Sequence, residues 1–168
     1  MRVFGFAGWS GSGKTTLLER LLPVLTQQSG LTVSTVKHAH HDFDVDQPGK
    51  DSWRHRHAGA SEVLVASGQR WALIHELRGA AEPSLDELLA HLGPADLVLV
   101  EGFKRDPIPK LEIYRPSLGR PSLALSDPNI VAVASDEPVA GLTVPCLALG
   151  DIPAIARFIV VHCGFETV

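Results

Sequence analysis

The sequence predicts an α/β fold of three layers, a mostly parallel sheet with helices on both faces. Three observations predict it. A glycine-rich loop separates a short apolar run from a helical pattern near the N-terminus. Short apolar and β-branched runs then alternate with helical segments. One run, Asp96-Leu-Val-Leu-Val100, is apolar on both faces, as a central parallel strand must be.

The elements follow in order. Arg2-Val-Phe-Gly-Phe-Ala7 is the first strand, and it runs into Gly8-Trp9-Ser10-Gly11-Ser12-Gly13-Lys14-Thr15. This stretch matches G-x-x-x-x-G-K-[ST], the phosphate-binding P-loop, and makes the fold class that of the P-loop NTPases. Glycines at 8, 11 and 13 let the backbone curl, so that successive N–H groups converge on one anion. The helix that follows adds its free N-terminal donors and positive dipole end. Lys14 supplies a point charge for the β- and γ-phosphates, and the Thr15 hydroxyl is placed to hold Mg²⁺. With glycine at its average usage, such a pattern arises by chance in fewer than about one chain in a hundred of this length.

That first helix is expected over 13–28, kinked or broken at Pro23 and stopped at Gly30. Residues 31–36 are β-branched and form strand two, followed by a polar, Asp/His-rich loop from His38 to Lys50. Asp51-Ser52 can cap a helix through Ala58, which Gly59 ends. The runs 61–66 and 70–74 flank Ser67-Gly68-Gln69 and read as a hairpin or two adjacent strands. A helix over 85–92 leads past Gly93-Pro94 into the strand 96–100. After a proline-rich loop come strands 130–134 and 144–149, then a closing helix over 152–162.

Length and composition bound the function. A chain of 168 residues suits one domain with its own core. An apolar fraction of 45% and a charged fraction of 20% read as soluble and globular, with no run long enough to span a bilayer. The first strand begins at once, leaving no signal peptide, and two cysteines without paired spacing, Cys146 and Cys163, fit a reducing cytoplasm. A net charge of −4 lacks the basic footprint of a nucleic-acid binder.

Ligands of such sheets gather at the carboxyl ends of the strands. The first strand ends in the P-loop, the second at Lys37-His38, and the central one at Glu101-Gly102. Glu101 has the place of the acidic residue that holds Mg²⁺ directly or through water. Asp51 is a second carboxylate for the metal, or a helix N-cap and nothing more.

Three stretches together are more specific than a P-loop. They are Gly8 to Thr16; Lys37-His38-Ala39-His40-His41 with Phe43-Asp44-Val45-Asp46-Gln47-Pro48-Gly49-Lys50-Asp51-Ser52, Arg54 and Ala58-Gly59-Ala60; and Val100-Glu101-Gly102-Phe103-Lys104. The chain they sample resembles the MobB family of molybdopterin-guanine dinucleotide biosynthesis proteins, with weaker likeness beyond Tyr114. The resemblance implies a cytoplasmic, homodimeric, GTP-binding adapter with slow Mg-dependent GTPase activity at most. Its implied partner is the molybdenum cofactor guanylyltransferase, with molybdopterin itself a candidate ligand. Thr16 and His38 join the nucleotide-binding set on this likeness. Through wider similarity to dethiobiotin synthetase, it implies Thr15, Asp51 and Glu101 around Mg²⁺ and Lys37 near the γ-phosphate.

The Asn-Lys-x-Asp guanine motif is missing, so GTP over ATP rests on the resemblance. Asp136, after the strand 130–134, is placed to accept from guanine N1 and N2; a turn-forming Ser-Asp before Pro138 is the alternative. His38, His40 and His41 cluster with Asp42, Asp44 and Asp46, which keeps a metal-delivery P-loop GTPase in view. A small-molecule kinase or ATP-dependent ligase is the third reading, though no acceptor base or Arg-rich lid is evident. Lys37, His38 and Asp44 are expected on a loop that responds to the γ-phosphate. Arg54, Arg56 and Arg105 fit an anionic ligand or a solvated surface equally well. Trp53, Trp71 and the run 63–65 are expected in the core or a dimer surface. Both cysteines are expected to be small buried or helix-end residues.

Overall fold

A computed structural model describes residues 1–39 and 43–166. Two compact units emerge, one of Met1–His38 with Leu89–Val168 and one of Ala39–Leu88.

The first unit carries a sheet of six strands: β1 (Arg2–Ala7), β2 (Val33–Lys37), β5 (Leu97–Glu101), β6 (Lys110–Tyr114), β7 (Ile130–Ser135) and β8 (Cys146–Ala148). Their order is β2-β5-β1-β6-β7-β8, and every pair is parallel. Alternation along each strand builds two faces. On one, Phe4, Phe6, Leu97, Leu99, Leu111 and Ile113 pack beneath helices α1 (Lys14–Pro23) and α4 (Ile152–His162) through Leu21, Ile155 and Ile159. Each of those side chains is shut off from water. Truncating any one to alanine costs roughly 2–5 kcal/mol, so this layer is the main stabilising core. The other face is covered more thinly. There a 3₁₀ turn, Leu123–Leu125, and nearby loop residues pack on Ala7, Ile130 and Val133. Helical segments thus flank both faces, as expected, with the long ones on one side.

Pro23 ends α1 as expected, but the chain does not unwind. Residues Val24–Gln28 continue as a π-helix, with Ser29 N–H donating to the Val24 carbonyl at 3.1 Å. Proline has no N–H for the carbonyl four residues earlier, and widening the turn by one residue resumes the ladder beyond the gap. The Thr26 hydroxyl takes up the Leu22 carbonyl at 2.8 Å. Gly30, at φ 66°, then stops the helix.

Strand β6 is not among the strands predicted from sequence. It lies in the middle of the sheet, beside β1, with Lys110, Leu111, Glu112 and Ile113 all buried. Prolines at 107 and 109 and two charged residues made this segment read as loop. The charges are satisfied inside. Lys110 pairs with Asp127 at 3.3 Å, and the Glu112 carboxylate accepts from Ser122 Oγ and from the N–H groups of Leu123 and Ala124.

In the second unit, α2 (Asp51–His57) and the antiparallel hairpin β3 (Glu62–Ala66) and β4 (Trp71–His75) form, close to the predicted bounds. Helix α3 (Leu85–Ala90) spans the return to the first unit. Ser84 and Glu87 form its capping box, each side chain bonding the other's backbone N–H. Arg56 organises the second unit: its guanidinium, 9% exposed, donates to Asp44, Asp46 and Glu76. It is therefore neither a solvated cation nor a free anion site. Its hydrogen bonds hold the Asp44 carboxyl below the usual carboxylate range. Cys163 is buried at the end of α4, whereas Cys146 is exposed in β8, contrary to expectation. Neither is in a disulfide. No helix of the described residues is long and apolar enough to cross a membrane.

Candidate functional site

The tips of β1, β5, β2 and β6 meet at the N-terminus of α1. The loop from Gly8 through Trp9, Ser10, Gly11, Ser12 and Gly13 to Lys14 curls there, with Gly8, Gly11 and Gly13 at φ 145°, 79° and 98°. At Gly8 any side chain is excluded, because a Cβ would stand 2.5 Å from the Ile113 carbonyl and 2.7 Å from Ser12 Oγ. Gly13 occupies the N-cap and brings no side-chain acceptor, so no N-cap side chain covers the first-turn N–H groups of Lys14, Thr15 and Thr16. Ser12 Oγ is buried without a hydrogen-bond partner among the described residues. Free amides, an orphaned hydroxyl and a loop too tight for Cβ atoms suit an anion bound through main-chain donors.

Lys14 bends back over this loop. Its ammonium donates to the carbonyls of Gly8 at 2.9 Å and Trp9 at 3.1 Å, leaving a third N–H for a ligand. Burial lowers its pKa from the ordinary lysine value, Glu101 opposes that shift, and Lys104 and Lys37 add to it. Lys14 thus feels one carboxylate and two further lysines.

That carboxylate is the centre of the arrangement. Thr15 Oγ1 lies 3.2 Å from Glu101 Oε1 and 3.4 Å from Oε2, and Lys37 Nζ lies 3.6 Å from Oε2. The register explains the convergence. Lys37 pairs with Glu101 and Glu101 with Phe6 across β2, β5 and β1, so both charged groups project from the face beneath α1. A hydroxyl and a carboxylate side by side form a hard-oxygen donor pair suited to Mg²⁺. Gly102, at φ 99°, lets the tips of β2 and β5 close up: a Cβ there would stand 2.6 Å from His38 Cβ. His38 donates its backbone N–H to the Glu101 carbonyl at 2.8 Å, and its ring lies 5.0 Å from that of Phe103.

The other predicted site residues fall as follows. Asp51 belongs to the second unit, in the first turn of α2. The N-cap position is Lys50, not Asp51, and the Asp51 carboxylate faces Arg54 at 3.8 Å on an exposed surface. Asp136 follows β7 and is paired with Arg115. His40, His41 and Asp42 lie outside the described residues. Among the described residues no three His, Cys, Asp or Glu side chains come together as a metal cluster.

Sequence reasoning missed Arg115. Its Nε donates to the Ser12 carbonyl at 2.9 Å, and Nη1 donates to Asp136. No motif marks it. Only the position at the end of β6 would have, and that strand went unread. Trp9 acquires neighbours for the same reason. Its indole N–H donates to the Pro121 carbonyl at 2.8 Å, and Lys104 and Arg120 each lie 5.6 Å from its ring centre.

The profile of the family described as "MobB: Molybdopterin guanine dinucleotide synthesis protein B" matches residues 3–136. The molybdopterin-guanine dinucleotide biosynthesis adapter protein of Escherichia coli (strain K12) is 45% identical over 161 residues, 94% of this chain and 91% of that protein. Its namesake in Haemophilus influenzae is 44% identical over 159 residues, 94% of this chain and 86% of that protein. The crystal structure of a molybdopterin-guanine biosynthesis protein B superposes with a TM-score of 0.75 at 29% identity, covering 96% of this chain and 98% of the other. A MobB homolog from Bacillus stearothermophilus gives 0.70 at 29%, covering 97% and 98%.

Proposed function

Because this chain belongs to the MobB family, we propose that it is a GTP-binding adapter in molybdopterin-guanine dinucleotide biosynthesis, working with the guanylyltransferase that joins molybdopterin to GMP. The observation that carries the nucleotide part is the convergence of Thr15, Glu101 and Lys37 beside a P-loop bridged by Lys14. In this reading the first-turn amides of Lys14, Thr15 and Thr16 bind the phosphate tail, and Lys14 neutralises its charge. Thr15 and Glu101 would hold Mg²⁺, and the ion would supply charge neutralisation on the phosphates. Lys37, more than half exposed, turns from Glu101 to the γ-phosphate. Any hydrolysis is slow, since the described residues near the phosphates offer cations and a metal carboxylate rather than a dedicated base. The setting is the cytoplasm, and the nucleotide is held by the unit of Met1–His38 with Leu89–Val168.

Homodimerisation is part of the proposal. On one face of the β3–β4 hairpin, Leu64 stands opposite Leu73 and next to Trp71, and these are 62%, 43% and 66% exposed. An apolar stripe of this kind on an exposed ribbon favours pairing with a second copy. Leu73→Glu is expected to shift the protein from dimer to monomer in analytical ultracentrifugation. An unchanged mass would separate this surface from any dimer.

Two experiments test the rest. A pull-down with guanylyltransferase and molybdopterin, with and without Mg·GTP, should capture the transferase, more strongly with nucleotide. Absence of capture under both conditions would end the adapter reading. Separately, Glu101→Gln halves the charge-bearing oxygen pair of the metal site and should weaken Mg²⁺-dependent GTP binding about tenfold, leaving metal-free binding near its original strength. Unchanged metal dependence would remove Glu101 from the site.

A further inference from the structure

Strand β6 lies between β1 and β7, so a residue at its carboxyl end neighbours both the P-loop and the tip of β7. Arg115 uses that position fully. Its planar fork donates through Nε to the Ser12 carbonyl, inside the P-loop, and through Nη1 to Oδ2 of Asp136, beyond β7. Its Nη2 also lies 3.7 Å from where a Cβ on Gly13 would stand, so the guanidinium rests on the loop backbone just before Lys14. One rigid cation therefore ties the phosphate loop to a carboxylate two strands away. Lysine, a single point charge on a flexible stem, has no fork to make both contacts in fixed geometry.

The charge balance gives this bridge a purpose. A bare carboxylate near a bound polyphosphate would repel it, and Arg115 offsets that repulsion while orienting Asp136. Each carboxylate oxygen has two acceptor positions, so one bond from Arg115 leaves both oxygens able to accept from a ligand. Guanine presents two donors, N1–H and the N2 amino group, on one edge. Adenine presents an acceptor and no donor there.

We infer that Arg115 is a positioning residue for base selection: it fixes Asp136 in register with the P-loop, so that phosphate grip and guanine reading occur in one bound pose. This rests on the GTP-binding reading proposed above. The test is a cycle of wild type, Arg115→Ala, Asp136→Ala and the double variant, plus Arg115→Lys. Affinities for Mg·GTP and Mg·ATP are measured by calorimetry, with thermal unfolding to verify folding.

Arg115→Ala and Asp136→Ala should each reduce the GTP/ATP affinity ratio about tenfold, the effect of one misdirected charged hydrogen bond. The double variant should fall no lower than Asp136→Ala alone, because Arg115 acts through Asp136. Arg115→Lys should keep part of the preference. Equal weakening of both nucleotides by Arg115→Ala would overturn the inference, reducing Arg115 to a loop brace; so would multiplicative effects on the ratio, or no effect of Asp136→Ala. A wild type that binds no GTP defeats the underlying reading as well. Wild-type preference that survives in Arg115→Ala defeats this inference alone.

Discussion

Lys14→Ala is expected to reduce Mg·GTP affinity by at least about a hundredfold, or roughly 2.7 kcal/mol, while the protein stays folded. The two halves of that expectation have different origins. The ammonium bonds to two P-loop carbonyls, where Arg115 bonds to one, and it is partly desolvated, so its attraction for a phosphate is screened less than that of exposed Lys37 or Lys104. Structurally it contributes two hydrogen bonds to loop carbonyls, worth about 1–3 kcal/mol together. Twenty-odd buried side chains in the sheet core are untouched by the change. Calorimetric titration with GTP reports the first half and circular dichroism melting the second. Binding at wild-type strength by folded Lys14→Ala protein would show that the glycine loop is not the nucleotide site.

The site was legible wherever a backbone requirement selects a residue type. Gly8 admits no Cβ, Gly13 takes a positive φ at a helix start, and Gly102 closes two strand tips; each shows in the sequence as a glycine of the loop that ends at Lys14 or as the one beside Glu101. The apolar runs of β1, β5 and β7 were legible for a similar reason, since strands buried on both faces have little choice of side chain. What hid β6 was compensation at a distance. Lys110 and Glu112 are tolerated in the interior because Asp127 and the 122–124 turn meet them there, and no local pattern announces partners ten or more residues away. Arg115 was hidden with its strand. The pairing of Asp44 with Arg56 was hidden in the same manner, across twelve residues of loop and helix. Charged residues with tertiary partners read, in one dimension, as solvent-facing.

Glu112→Ala is expected to be the most damaging single change outside the apolar core, costing about 3 kcal/mol. The carboxylate is fully buried, and both oxygens are used: Oε1 accepts from Leu123 N–H at 2.7 Å, and Oε2 accepts from Ser122 Oγ at 2.7 Å and Ala124 N–H at 2.9 Å. Removing it strands three donors at the start of a 3₁₀ turn and leaves a void in the thin layer on that face of the sheet. Relief of the carboxylate's own desolvation offsets part of this, which is why the expected loss stays below the sum of three charged hydrogen bonds. For a chain of this size the loss corresponds to a melting point lower by about 6–12 °C. Glu112→Gln separates charge from shape. An amide has one oxygen for donors that approach from two sides, and its NH₂ must face an N–H or O–H, so about 1.5–3 kcal/mol should still be lost. The damage should also reach the nucleotide site. Ser122 follows Pro121, whose carbonyl receives the Trp9 indole, and Arg120 lies over the same ring. Loosening the 122–124 turn therefore releases one wall of the P-loop. GTP affinity of the alanine variant, measured well below its melting point, should fall severalfold; full affinity together with the lowered melting point would mean that the turn supports the sheet alone.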